Sequence, residues 1–396
     1  MSPSALTYRA HASPDTPRNR GPWVNGFLAL FGVLSLLPRL PFLTLRFVFC
    51  RPAGAAYGWF LKSHLIKSVG QWTGLAYPET DAEATAVPRP IAPFGNVMKL
   101  VTMDVVRVPA APEEWCVGYA EPAPIVPRAE RPGFILSPPG AALGTAKAVP
   151  GEKLVFYIHG GAYARGHPMW SPFAPKLARD THTRVFGVQY RKCLTDSTAY
   201  PAPLLDALAA WHYVTVHLGF TPSNIVVTGD SAGAHLALAL VLQLSALDLP
   251  LPGSLALASP WADFTTSFAS WKRNQDDYLT KSRLDNCIKS IVRHYNAGAV
   301  RHPLFSPALA DAGHWTFLVS VPVFVSYGTL EALEDEDKAL VDGMRRDGVA
   351  VEVFEDKGGF HDGPITGMNE DVYKRFAAAI EDQLKQIAIK ATTDGQ

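Results

Sequence analysis

The chain has 396 residues, and its 36 lysines and arginines are balanced by 36 aspartates and glutamates. That neutrality argues against nucleic acid as a partner, because phosphate recognition needs a basic face. Hydrophobic residues at 48% supply ample material for a large core and argue against disorder over most of the length.

The first feature in chain order is apolar. No charge occurs from Gly21 to Pro38, and GFLALFGVLSLL (26–37) is almost wholly hydrophobic. Its densest part is shorter than the roughly 20 residues a spanning helix wants, and Pro38 and Pro41 would kink or end a helix there. A cleaved signal peptide fits poorly, since the polar leader is long and no small-x-small site comes after it. The segment reads as a membrane attachment, whether signal anchor, hairpin or interfacial helix, with a buried cap helix as the alternative. Arg9, Arg18 and Arg20 precede it while Arg39, Arg46 and Arg51 come after, so charge leaves its orientation open. Residues 55–70 have helical spacing and suit a cap or a membrane-surface helix.

From Pro88 to Pro150 there are twelve prolines, interrupted by strand-like runs at 97–108 and 115–120. This predicts an early antiparallel hairpin with the prolines in its edges and loops. After Pro150, apolar strand-like runs at 153–158, 184–190, 224–229, 254–258, 322–327 and 350–355 alternate with helical stretches, clearest at 203–218, 231–247, 334–347 and 369–389. Near-continuous apolar strands separated by helices imply a mostly parallel sheet of about eight strands, covered on both faces. Residues 264–320 break the alternation and are expected to pass over the carboxyl edge of the sheet. Cys50, Cys116, Cys193 and Cys287 are far apart and form no metal-ligand spacing; they read first as buried thiols, with a disulfide in an oxidising compartment as the alternative.

The chemistry concentrates in three places. Gly229-Asp230-Ser231-Ala232-Gly233 is a G-x-S-x-G that closes one apolar run and opens a helical one, as a nucleophile elbow requires. An N-capping serine is the plainer reading of the pentapeptide taken alone. His159-Gly160-Gly161-Ala162 comes directly after the run KLVFYI, and glycine N–H groups there can face a developing oxyanion. Gly160 and Gly161 are the expected donors with Ala232 as the third, while His159 reads as a loop organiser. A hydroxyl nucleophile needs a base and an orienting acid. His361 in GGFHDG lies after the last strand, and the acid belongs after PVFVSY, in the order serine, acid, histidine. Glu331 is the first choice and Asp335 the second; Glu334, Asp335 and Glu336 otherwise read as a solvated first helical turn.

These motifs, with YPAPLLDAL (200–208), SPWADF (259–264) and HPLFSPALAD (302–311), make the chain similar to the hormone-sensitive-lipase-like branch of α/β-hydrolases. That branch includes arylacetamide deacetylases and fungal steryl acetyl hydrolases. The likeness covers roughly residues 150–385. It implies an α/β-hydrolase fold, a triad of Ser231, Glu331 and His361, and an oxyanion hole of Gly160, Gly161 and Ala232, with no metal or cofactor. The chain departs from the family in carrying Glu331 where aspartate is common, and YRKCLTDSTAYPAP in place of a YRLAPE-type stretch. The expected organisation is a polar leader (1–22), a membrane-anchor candidate (23–50), cap helices and linker (51–96), a catalytic domain (97–390) and a tail (391–396). The expected function is a membrane-associated serine carboxylesterase at the endoplasmic reticulum. It would remove short, acetyl-type groups from lipophilic alcohols such as sterols or terpenoids. Acylglycerol lipase, amidase, acyl transfer and a catalytically silent small-molecule receptor are the alternatives, although receptors of this fold typically lose the base and His361 is in place.

Overall fold

In the run LVFYI, Leu154, Phe156 and Ile158 join one hydrophobic cluster, while Val155 and Tyr157 join another. Alternate side chains of a strand point to opposite faces, so a strand buried on both sides must be apolar throughout. This explains the uninterrupted apolar runs. The structure is a computed structural model that describes residues 34, 38–50, 101–122, 125–141, 144–367 and 369–393. Half of the membrane-anchor candidate (residues 23–33 and 35–37) and all of residues 51–96 lie outside the described residues.

Eight strands form one sheet: β1 (Thr102–Val108), β2 (Arg131–Ser137), β3 (Leu154–Ile158), β4 (Arg184–Val188), β5 (Ile225–Asp230), β6 (Ser254–Ala258), β7 (Val323–Gly328) and β8 (Val351–Asp356). Their order is β1-β2-β4-β3-β5-β6-β7-β8. The β1–β2 and β2–β4 pairs are antiparallel and all the others parallel. The antiparallel start is as expected, but its second strand is not. Residues 115–120 are not a strand: two 3₁₀ turns, Glu113–Trp115 and Gly118–Ala120, fall there. The partner of β1 is RPGFILS, whose opening Arg-Pro-Gly disguises it. Pro132 cannot donate to the ladder but its carbonyl still accepts from Gln189 N at 3.0 Å. A side chain at Gly133 would collide with the Phe186 ring.

Nine helices are described besides the 3₁₀ and π turns: α1 (Arg39–Cys50), α2 (Phe173–Asp180), α3 (Ala202–His212), α4 (Ala232–Ala246), α5 (Ser270–Arg273), α6 (Lys281–Ile291), α7 (Glu334–Arg346), α8 (Gly363–Thr366) and α9 (Glu370–Thr393). Residues of α2 and α9 build the core on one face of the sheet. Those of α3, α4 and α7 build it on the other. Helix α2 is only eight residues long, and α6 lies in the excursion that breaks the strand–helix alternation. Helix α4 is buried almost all round, so it shows no polar stripe. Cys116, Cys193 and Cys287 are buried thiols outside any disulfide, and burial raises the Cys116 pKa to about 11.

Candidate active site

Ser231 stands between β5 and α4 with φ 52° and ψ −120°. A residue with a Cβ avoids this conformation, at a cost of about 1–3 kcal/mol that surrounding structure must offset. Its neighbours supply that constraint. Ser231 N donates to Ala258 O at 2.9 Å, and Ser231 O accepts from His235 N and Trp261 N, both at 3.1 Å. The turn is tight: a Cβ at Gly233 would lie 2.0 Å from Ile158 O at the end of β3. Only glycine allows that approach. The amino end of α4 begins at once, so Ala232 N–H belongs to the helix turn whose dipole favours negative charge.

His159-Gly160-Gly161-Ala162 leaves the end of β3 directly beside this elbow. Gly161 has φ 115°, and a Cβ there would be 2.2 Å from Arg165 O. Gly160 packs on Asp230: its Cβ position is 2.3 Å from Asp230 Oδ2. Burial raises the Asp230 pKa to about 6, opposed by hydrogen bonds from the Tyr157 hydroxyl and the Gly160 backbone and by the charge of His361. Gly160 therefore lies against the Asp230 carboxyl, and Gly161 and Ala232 stand at the same elbow, so the three expected oxyanion donors come from its two adjoining turns.

Two further loops bring His361 and Glu331 together, both buried at the carboxyl edge. They are laced by backbone bonds: Leu330 N donates to Gly359 O at 2.9 Å and Thr329 N to Asp356 O at 3.0 Å. His361 Nδ1 lies 3.7 Å from Glu331 Oε2, and His361 Nε2 lies 3.3 Å from Asp362 Oδ2. The nitrogen that would face the serine is thus held by Asp362. Glu331 Oε2 also accepts from Ser259 Oγ at 2.7 Å, and Asn274 Nδ2 holds the Glu331 carbonyl at 2.8 Å. Burial alone would lower the His361 pKa, but the charges of Asp362, Glu331 and Asp277 outweigh it and lift it to about 10.

Asp335, the second choice for the acid, is not at His361. Arg273 takes its carboxylate, with Nη2 2.5 Å from Oδ1, and Ser270 N donates to Oδ2 at 2.8 Å. The idea of a solvated acidic turn also needs correcting, since Glu334, Glu336 and Asp337 are all buried. Glu336 accepts from Ala262 N at 2.8 Å and Asp263 N at 3.1 Å. Burial and the charge of Glu331 push the Asp337 pKa well up. The Glu331 pKa falls despite burial, through Asp337 and His361.

Reading the sequence also missed Asp277, from the excursion between β6 and β7. It accepts from Ala332 N at 2.7 Å and from His361 N at 3.4 Å, and so ties the acid and base loops together. No motif marks it. Tyr163 and Trp261 are wholly buried in the core. Trp261 packs on Phe264 with centroids 4.3 Å apart.

Residues 155–364 match the alpha/beta hydrolase fold family, and the chain belongs to it. Within it the chain is of the hormone-sensitive-lipase-like kind. It is 30% identical over 201 residues to an acetyl-hydrolase of Streptomyces hygroscopicus, covering 50% of this chain and 64% of that protein. It is 32% identical over 191 residues to an esterase of Acinetobacter venetianus, covering 47% and 59%. The match thus spans about three-fifths of the length of these relatives. A solved esterase of the bacterial hormone-sensitive lipase family superposes with a TM-score of 0.59 at 23% identity, covering 81% of this chain and 90% of that one.

Proposed function

We propose that the protein is a serine carboxylesterase that works through an acyl-enzyme, with Ser231 as nucleophile, His361 as base and Glu331 as its orienting acid. The observation that carries this reading is Ser231 in a strained elbow at the carboxyl edge of the sheet, the edge to which two other loops deliver a His361–Glu331 pair. Strain of this kind persists where a function needs the side chain lifted clear of the backbone.

In the reaction His361 turns from Asp362 to Ser231 and takes the hydroxyl proton as Oγ bonds to the ester carbonyl carbon. Backbone N–H groups of Gly160, Gly161 and Ala232 hold the oxyanion. The intermediate expels the alcohol, which receives its proton from His361. Water then gives a proton to His361, attacks the acyl-enzyme, and returns Ser231 with release of the carboxylic acid. His361 must be neutral to begin, so the free base form is the active one.

We propose short, acetyl-type esters of lipophilic alcohols such as sterols or terpenoids as substrates. The likeness to an acetyl-hydrolase supports the acyl part, and the apolar amino-terminal segment supports a greasy alcohol. The same segment supports membrane association, with the endoplasmic reticulum as the proposed compartment. Ser231→Ala should abolish p-nitrophenyl acetate hydrolysis and fluorophosphonate labelling; near wild-type labelling of the variant would sink the assignment. Across an acyl-length series the activity should peak at acetyl or butyryl, whereas a rise toward long chains would replace this reading with a lipase.

A further inference from the structure

The stretch that departs from the family pattern, YRKC, places a lysine inside the protein. Lys192 is wholly buried. Its Nζ donates to Tyr190 O at 2.7 Å and lies 3.2 Å from His159 Nε2. It also sits over the Tyr190 ring, 4.1 Å from the centroid. His159 stacks on the same ring, centroids 4.4 Å apart and planes 11° from parallel. One buried cation therefore touches the histidine that begins the glycine loop.

An ammonium has only donors, so the nitrogen facing it must offer a lone pair. A neutral imidazole with Nε2 as acceptor carries its proton on Nδ1. His159 Nδ1 is 2.7 Å from Gly160 O, where that proton is donated. Burial and the Lys192 charge both hold the His159 pKa well below the usual range, which keeps the ring neutral. In a trans peptide the carbonyl and the next N–H point in opposite directions. Fixing the Gly160 carbonyl therefore fixes the direction of the Gly161 N–H. At the preceding peptide, the Tyr190 hydroxyl donates to His159 O at 2.8 Å and sets the direction of the Gly160 N–H in the same way.

We propose that Lys192 is a positioning residue for the oxyanion donors: by holding His159 in its Nδ1–H form, it aims the Gly161 N–H at the reacting carbonyl. The inference rests on the esterase reading, in which Gly161 meets the oxyanion. A family-type leucine at 192 could fill the space but could not select the tautomer.

The test has two arms. In the intact wild-type protein, ¹⁵N NMR of the labelled imidazole should show His159 with Nδ1 protonated and Nε2 unprotonated; the opposite tautomer overturns the proposal without any variant. In kinetics with p-nitrophenyl acetate, Lys192→Leu should lower kcat by about tenfold, less than the roughly hundredfold or greater loss when an oxyanion donor is removed outright. KM should stay within about twofold, because the lost interaction belongs to the transition state. His159→Phe keeps the stack but removes both ring nitrogens. In that background Lys192→Leu should cost little more, since the lysine acts through the histidine. Equal losses in both backgrounds, or an unchanged kcat, would assign Lys192 a packing role instead. If Lys192→Leu does not fold, the tautomer result decides alone. Failure of the esterase reading would show differently, as ester hydrolysis that persists in Ser231→Ala.

Discussion

Asp362 occupies the side of His361 that must be vacated for Ser231, and this shapes the pH dependence. Asp362 adopts a left-handed conformation with φ 57°, and its N–H donates to Ser259 Oγ at 3.1 Å, so the backbone fixes where its carboxylate stands. The groups around the ring are Asp362, Glu331 and Asp277, with the Tyr278 ring 5.6 Å away. Their charge favours the imidazolium, and catalysis needs the neutral ring. Removing one charge lowers the pKa, so Asp362→Asn should move the acid limb of the kcat/KM profile to lower pH. An unmoved limb, or one displaced upward, would contradict that role. Glu331→Gln should lower turnover on the order of 10⁴-fold by losing the charge that orients and stabilises His361. Asp335→Asn should change it little, because Asp335 serves Arg273; the reverse result would reassign the acid. Ser231, His361 and Glu331 were legible because motif, chain order and strand position agree. Asp230, Asp277, Asp337 and Lys192 were not, because each matters only through long-range contacts that no local pattern encodes.

At the scale of elements, the β5–elbow–α4 unit depends on space more than on hydrogen bonds. Gly233→Ala would put a methyl group 2.0 Å from the Ile158 carbonyl, a fixed backbone atom of the neighbouring strand. Overpacking commonly costs about 1–3 kcal/mol, and here relief requires moving the loop that carries Gly160 and Gly161. The expected outcome is a lower Tm together with lost fluorophosphonate labelling; full labelling at unchanged Tm would show that the turn tolerates a side chain. The parallel strands and long helices were legible because burial on both faces writes itself into composition. Strand β2 was not, because Arg131-Pro132-Gly133 breaks every propensity rule while the sheet supplies its pairing from both sides. The acidic start of α7 misled for a related reason. A run of Glu and Asp suggests water, yet backbone donors from residues 262 and 263 draw Glu336 inside.

Over the whole molecule, the low charge and high apolar content divide between a sheet buried on both faces and the amino-terminal segment. Within that segment α1 leaves Phe42, Leu45, Val48 and Phe49 exposed, while Arg46 reaches Asp276 at 3.5 Å. Among the described residues no helix is long and apolar enough to cross a membrane. A helix with this apolar surface suits the membrane interface. Cell fractionation should find the full chain in membranes and a chain lacking residues 1–50 shifted toward the soluble fraction; a fully soluble intact chain would refute attachment. An acyl-enzyme on Ser231 is tested most directly by rapid-quench mass spectrometry during p-nitrophenyl acetate turnover. An acetyl group should appear on the peptide containing Ser231, formed and lost at rates compatible with kcat and missing from Ser231→Ala. Steady turnover with Ser231 unmodified at every time point, and undiminished in the alanine variant, would contradict it.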